Sequence, residues 1–302
     1  MLIEFMQAVL VLLFLMSGVG RRDADRLLAS GDYQSAANAY LQLLEVNPND
    51  PALLEGAGRS FLALNRPDRA IPFLQRELTI SPQNLAAARQ LAAAFVEVNQ
   101  FGIARDLLTW LTERDPSDAV SWYRLGLLMY KNGYYGAAIK ELNSAIAGLL
   151  SGPEAGPYRN RAEVIRAIAF VEAGLSDAAG KTLPGLLART ENAADLDLRL
   201  SYVRLLYESG RYDEAMRQTE AALAVKSTNA AVHFWRARIL HQQQQIPQAV
   251  AEGEIARGLS PESPAPRNLL VRLYRKLGRM EDAARETEWL RVHEAAAGEP
   301  RP

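Results

Sequence analysis

Prolines at Pro48, Pro82 and Pro116 stand 34 residues apart, and each closes an apolar run of helical period ahead of a short polar turn. Alanines at Ala36, Ala70, Ala104 and Ala138 keep that spacing, which resumes at Ala215, Ala249 and Ala283, with Ala179 supplying the unit between. A turn residue recurs ahead of each proline at Gly31, Asn65 and Asn99, and Gly133, Gly174, Gly210 and Gly278 take its place in later units. A unit of this length cannot bury an apolar face alone. The chain is therefore constrained to an all-α stack in which neighbouring units cover one another.

The periodic alanine has a physical cause. Where two helices cross closely, one must present a residue with almost no side chain, and alanine does so without the helix penalty of glycine. The eighth place of each first helix is also small in most units, at Ala24, Gly58, Ala92, Gly126, Ala167 and Ala237. Large apolar residues fill the space beside the crossing, at Leu27, Phe61, Phe95, Met129, Phe170, Leu206, Leu240 and Tyr274. Their spacing of three and four within each helix marks one buried stripe, so these aromatics are expected in the core and not around a cofactor.

The best unit reads Trp122, Leu125, Gly126, Met129 with Tyr130, Gly133, Tyr135, Ala138, Leu142 and Ala145. This pattern resembles the tetratricopeptide repeat (TPR) family, whose unit is a helix, a tight turn and an antiparallel helix. Units fall at 17–50, 51–84, 85–118, 119–152, 160–193, 196–229, 230–263 and 264–297. The resemblance implies a right-handed α-solenoid of about eight helix-turn-helix repeats. Residues 21–152 carry the first four repeats, 153–159 a hinge or loop, 160–297 the last four, and 298–302 a flexible tail. Gly152, Pro153, Gly156 and Pro157 within the stretch Gly148 to Asn160 motivate the hinge. Pro184 falls inside a second helix, which it should kink or shorten. Val203 and Val271 replace the small eighth residue, so those pairs should splay slightly.

An apolar segment precedes the repeats, with no polar residue from Ala8 to Met16. That core, followed by Ser17, Gly18 and Gly20, suits a signal peptide over residues 1–20 and places the chain in a bacterial periplasm or outside the cell. The alternative is a retained membrane anchor, because Glu4 is the only charge before the core whereas Arg21, Arg22 and Arg26 follow it. Retained, that asymmetry favours a cytoplasmic repeat domain. Membrane contact is expected only through this segment.

Little in the chain points to catalysis. There is no phosphate-binding glycine loop, no G-x-S-x-G elbow and no H-E-x-x-H. Cysteine is absent, which removes thiolate metal sites and thiol nucleophiles together. Of three histidines, His233 and His241 share one helix without a carboxylate at ligand spacing beside them, so no metal, cofactor or small-molecule substrate is expected. Paired acids such as Asp213-Glu214 and Glu281-Asp282 begin second helices, where they favour the helix dipole. Net charge is -1, which gives no concentrated positive field for nucleic acid. The run from Gln242 to Gln245 reads as a polar turn ahead of Pro247.

The TPR resemblance implies that the first helices line a concave face and that their second, fifth, ninth, twelfth and thirteenth places look inward. In this register Arg59, Arg204, Arg238 and Arg272 hold the ninth place and Arg89 a fifth place, with Tyr207, Phe234 and His241 beside them. Arg204, Arg238 and Arg272 are 34 residues apart and would form a ladder suited to an acidic protein segment or peptide. The competing reading is an arginine-rich composition that places arginine on a solvated face, since lysine occurs only at Lys131, Lys140, Lys181, Lys226 and Lys276. The expected function is a protein-binding scaffold or adaptor. A cell-wall or polysaccharide-binding module is the alternative, and aromatic rings facing solvent would favour it.

Overall fold

The computed structural model describes residues 20–148 and 155–297, and among these it contains sixteen α-helices and no strand. The apolar segment up to residue 19, residues 149–154 and the tail 298–302 lie outside the described residues. No helix among the described residues is long and apolar enough to cross a membrane.

The chain divides into two compact units, Met1–Ala162 and Glu163–Pro302. In unit 1 the first helices are α1 (Arg21–Ser30), α3 (Pro51–Ala63), α5 (Leu85–Glu97) and α7 (Ala119–Lys131). Each turns back into a second helix: α2 (Tyr33–Val46), α4 (Pro67–Ile80), α6 (Phe101–Arg114) or α8 (Tyr135–Gly148). Helix α9 (Ala155–Glu172) carries the division, and α10 (Ser176–Leu187) follows it in the chain. Unit 2 continues with α11 (Leu196–Glu208), α12 (Tyr212–Val225), α13 (Ala230–Gln242), α14 (Ile246–Leu259), α15 (Pro264–Lys276) and α16 (Met280–Ala297).

The stretch expected as a loop up to Asn160 is helical from Ala155 onward, with Pro157 in the first turn, where a missing backbone N–H leaves no helical bond unmade. Pro184 sits inside α10, which has 12 residues where α8 has 14, and a 3₁₀ turn at Thr190–Asn192 follows. The expected shortening is therefore present. Pro72 lies inside α4 as well, and that helix keeps 14 residues.

The turns repeat in detail. Within each pair the chain reverses through one left-handed residue, Gly31, Asn65, Asn99, Gly133, Gly174, Gly210, Gln244 or Gly278, at φ between 56° and 85°. Seven of these match the recurring turn residue, and Gln244 from the glutamine run is the eighth. Between pairs, Asp50, Asn84, Asp118, Asp195 and Asn229 cap the next first helix by accepting backbone N–H bonds.

The crossings hold the small residues as expected. Ala36, Ala70, Ala104, Ala138, Ala179, Ala215 and Ala249 have no exposed surface, and Ala24, Ala92, Ala167 and Ala237 have none either. A Cβ on Gly58 would meet Leu74 Cδ2 at 2.7 Å, and one on Gly126 would meet Leu142 Cγ at 2.7 Å. Val203 and Val271 are buried at their crossings. Phe61 stacks on Phe73 at 5.6 Å within the core of unit 1, which runs from Ala37 to Leu128. The core of unit 2 includes Ala237, Leu240, Leu270 and Tyr274.

A polar clasp repeats at the fourth place of the first helix. Trp122 Nε1, Arg199 Nη2 and Arg267 Nη2 each donate to the carbonyl six residues earlier, at Pro116, Ala193 and Pro261, over 2.8 to 3.0 Å. His233 Nε2 faces Ser227 O at 3.3 Å in the same way. The same side chains reach the second helix: Arg199 to Gln218, His233 to Glu252 and Arg267 to Glu286. From Arg199 onward both series run at 34-residue spacing, so the tie between the turn and the helix pair is itself a feature of the repeat in unit 2.

Candidate functional site

In unit 2 the faces of three successive first helices enclose a hollow of about 170 Å³. Tyr207 comes from α11, Phe234, Arg238, His241 and Gln242 from α13, and Leu269 and Arg272 from α15. Helical spacing places residues 234, 238, 241 and 242 on one side of α13, and the 34-residue repeat brings Arg272 to the same face of the next first helix. Among the described residues no carboxylate lines the hollow.

Arg238 is held by rings. Its guanidinium carbon lies 4.3 Å from the Trp235 centroid, 4.4 Å from Tyr207 and 5.8 Å from Phe234. Such contacts attract the cation to the rings without using its N–H donors. Tyr207 and Trp235 meet edge to face at 5.4 Å, which fixes the rings themselves. Arg272 is exposed, and its one hydrogen bond among the described residues runs from Nε to Asn268 O at 3.3 Å. Lys276 Nζ donates to His241 Nε2 at 2.9 Å. Burial, then the charges of Lys276 and Arg272, hold His241 below the usual imidazole range. Because Nε2 accepts from Lys276, the ring proton lies on Nδ1. Gln242 Nε2 donates to the Tyr207 hydroxyl at 2.9 Å, which leaves the phenolic O–H as a donor.

Five of the sequence-derived residues therefore meet at one hollow: Tyr207, Phe234, Arg238, His241 and Arg272. Arg204 does not line it. Its Nη1 donates to both oxygens of Glu172 and its Nε to Glu208, all at 2.9 Å, and these contacts raise its pKa, Glu208 above all. Arg59, in unit 1, is exposed and 4.0 Å from Glu55. Arg89 forms an ion pair with Asp118 at 2.8 Å, beside the cap that Asp118 makes on Ser121 N. It braces two neighbouring first helices of unit 1. The three-rung ladder is in structural terms a two-arginine hollow flanked by an arginine already engaged.

Sequence reasoning did not identify Trp235, whose ring faces Arg238, or Gln242 and Leu269 in the lining. Trp235 stands three residues before Arg238 on α13, a spacing at which helix side chains meet, and that spacing is the signal for it. His233, taken as lacking a carboxylate on its own helix, meets Glu252 of α14 at 2.6 Å. Among the described residues no group of three or more His, Asp or Glu could hold a metal.

Unit 1 has a hollow of its own on the first-helix face, of about 300 Å³. Ala93, Val96 and Leu127 give it an apolar floor, and Glu97, Arg124, Lys131 and Arg161 stand around it. The signal for it was the small Ala93 at the ninth place of α5, facing Leu127 at the ninth place of α7. Of the aromatic residues described, only Tyr33 and Tyr134 are exposed. They do not form a row of rings such as a polysaccharide would stack against.

The comparisons with known proteins agree with this geometry. The model of the tetratricopeptide repeat family matches residues 22–84, 89–160 and 203–264, which together make up more than half of the chain. Protein FlbA of Caulobacter vibrioides is 27% identical over 148 residues, or 49% of this chain, and the match spans only 24% of that relative. Among solved structures, a TPR repeat-containing protein of Cytophaga hutchinsonii is similar at TM-score 0.62 and 14% identity, over 82% of this chain and 98% of that one. A tetratricopeptide repeat protein of Parabacteroides merdae is similar at TM-score 0.55 and 19% identity, over 83% and 96%. PilF of Pseudomonas aeruginosa is similar at TM-score 0.55 and 19% identity, over 78% and 97%. These likenesses speak for the fold. With its 34-residue unit, its alanine crossings and its left-handed turns, the chain belongs to the tetratricopeptide repeat family.

Proposed function

We propose that this protein is a non-enzymatic scaffold that binds an acidic segment of a partner protein at the first-helix face of unit 2. The observation that carries the reading is the hollow lined by Arg238 and Arg272 with no carboxylate among its lining residues. Arg238 is pre-oriented by Tyr207 and Trp235, so little side-chain entropy is lost when an anionic group docks on it. The apolar floor in unit 1, with Arg124, Lys131 and Arg161 outnumbering Glu97 around it, offers the partner a second, apolar seat. The proposal includes export or membrane tethering through residues 1–20, on the strength of the apolar core from Ala8 to Met16.

Capture from the native host, by crosslinking of the full chain, tests the binding reading. Arg238→Gln with Arg272→Gln should abolish capture of the partner and leave helicity unchanged. Arg285→Gln with Arg291→Gln is the charge-matched control, because both side chains are about 70% exposed on α16. Equal capture by both double variants would show that the arginines are only a solvated face.

A further inference from the structure

We propose that the hollow between Tyr207, Arg238 and Arg272 recognises a phosphorylated side chain on the partner segment. This rests on the protein-binding reading and narrows its chemistry.

The lining is rich in donors and lacks carboxylate acceptors. Arg238 lies beside the Trp235 and Tyr207 rings at 4.3 and 4.4 Å, and no carboxylate among the lining residues takes its N–H groups. Arg272 keeps its terminal nitrogens, since its single bond among the described residues comes from Nε. Tyr207 accepts from Gln242 and so has its own O–H to give. His241 accepts from Lys276 at Nε2 and so carries a proton on Nδ1. Donors from two guanidinium groups, a hydroxyl and an imidazole thus belong to one cavity of about 170 Å³.

A carboxylate matches this poorly. It has two oxygens in one plane and one charge, which a single guanidinium fork satisfies. A second arginine would then be left without a counter-charge. A phosphoryl group carries about 1.5 to 2 negative charges and three strong acceptor oxygens in a tetrahedral array, so it can engage two forks and the lateral donors together. The withdrawal of Arg204 to Glu172 and Glu208 strengthens this point. An extended row of arginines would suit several spaced carboxylates, whereas one concentrated hollow suits one multiply charged group. The aromatic and aliphatic parts of Phe234 and Leu269 border it and give the flanking peptide an apolar contact.

The test uses the full chain and fluorescence anisotropy with labelled degenerate peptide pools. One pool is fixed centrally at phosphoserine, phosphothreonine and phosphotyrosine, one at glutamate and one at serine. Inorganic phosphate and vesicles containing phosphatidylinositol 4,5-bisphosphate are measured alongside, the former as a competitor. The phosphopeptide pool should bind at least about tenfold more tightly than the glutamate pool, a difference of about 1.4 kcal/mol. Arg238→Gln and Arg272→Gln should each remove that preference, and Arg285→Gln should leave it intact. Trp235 fluorescence should change with the phosphopeptide pool, given the position of its ring against Arg238.

Equal affinity for phosphopeptide and glutamate pools overturns the inference. So does binding to the vesicles without binding to phosphopeptides. If the pools do not differ while capture of the native partner still requires Arg238 and Arg272, the phosphoryl inference fails and the protein-binding reading stands. If neither depends on the two arginines, both fail.

Discussion

Arg204 donates to both carboxylate oxygens of Glu172, at 2.9 Å each, so the arginine that begins the 34-residue series in unit 2 is bound to its own protein. The side chains are 35% and 29% exposed, and water and salt screen the pair. Arg204→Gln should lower stability by about 0.2 to 1 kcal/mol in urea denaturation, as for other partly exposed pairs. It should weaken partner binding less than about threefold, whereas Arg238→Gln should weaken it more than about tenfold, or 1.4 kcal/mol. A larger binding loss at Arg204 than at Arg238 would restore the three-rung ladder.

Glu77 is buried, accepts from Asn84 Nδ2 at 2.5 Å and has no hydrogen-bond partner on its other oxygen among the described residues. Burial, then the charge of Glu55, push its carboxyl up to about 7, against the pull of Asn84. The folded state therefore holds this proton where the unfolded chain, at 4.5, has released it. The protonated side chain gives its full contribution below the unfolded value, and stability falls as pH rises from about 4.5 to about 7. The loss is up to about 3 kcal/mol by the linkage relation. Glu77→Gln should lack this component, so urea midpoints at pH 5 and pH 8 should differ more for the parent chain than for the variant.

Gly56 lies against the Tyr40 ring, and a Cβ there would fall 2.3 Å from Cε1. Tyr40 is 1% exposed and its hydroxyl donates to Asp25 at 2.6 Å, so the ring is held at both ends. Gly56→Ala should destabilise by about 1 to 3 kcal/mol despite the better helix propensity of alanine. Gly102 has nothing within 4 Å of its Cβ position, and Gly102→Ala should raise stability by about 0.4 to 1 kcal/mol. Thermal melts of the two variants should shift in opposite directions.

Gln244 turns the chain between α13 and α14 at φ 60°, where most other pairs use glycine. The left-handed conformation is unfavourable by about 1 to 2 kcal/mol for a residue with a Cβ. Gln244→Gly should raise the melting temperature and Gln244→Val should lower it. Reversed shifts would mean that the polar side chain of Gln244 stabilises the turn more than its backbone destabilises it.

Intact mass of the protein from its native host decides the fate of residues 1–20. A mature chain beginning near Arg21 is the expected outcome for an exported protein. Full-length protein confined to membranes would instead establish an anchor.

The sequence by itself determined the repeat. Positions such as Ala70 and Ala104 must be small wherever helices cross closely, and Gly133 and Gly278 must turn left-handed, so steric limits on single residues write the period into the chain. The phase of the arginines followed from the same period, which is why five candidate residues meet at one hollow. Only the tertiary structure decided which charges are free. Glu172 reaches Arg204 across 32 residues, Asp118 reaches Arg89 from the next first helix, and Tyr207 closes on Arg238 from the preceding first helix. The physical reason is that a helical period fixes the direction in which a side chain leaves the backbone. The partner that a long flexible side chain finds depends on the distances between packed helices and on the other side chains already there.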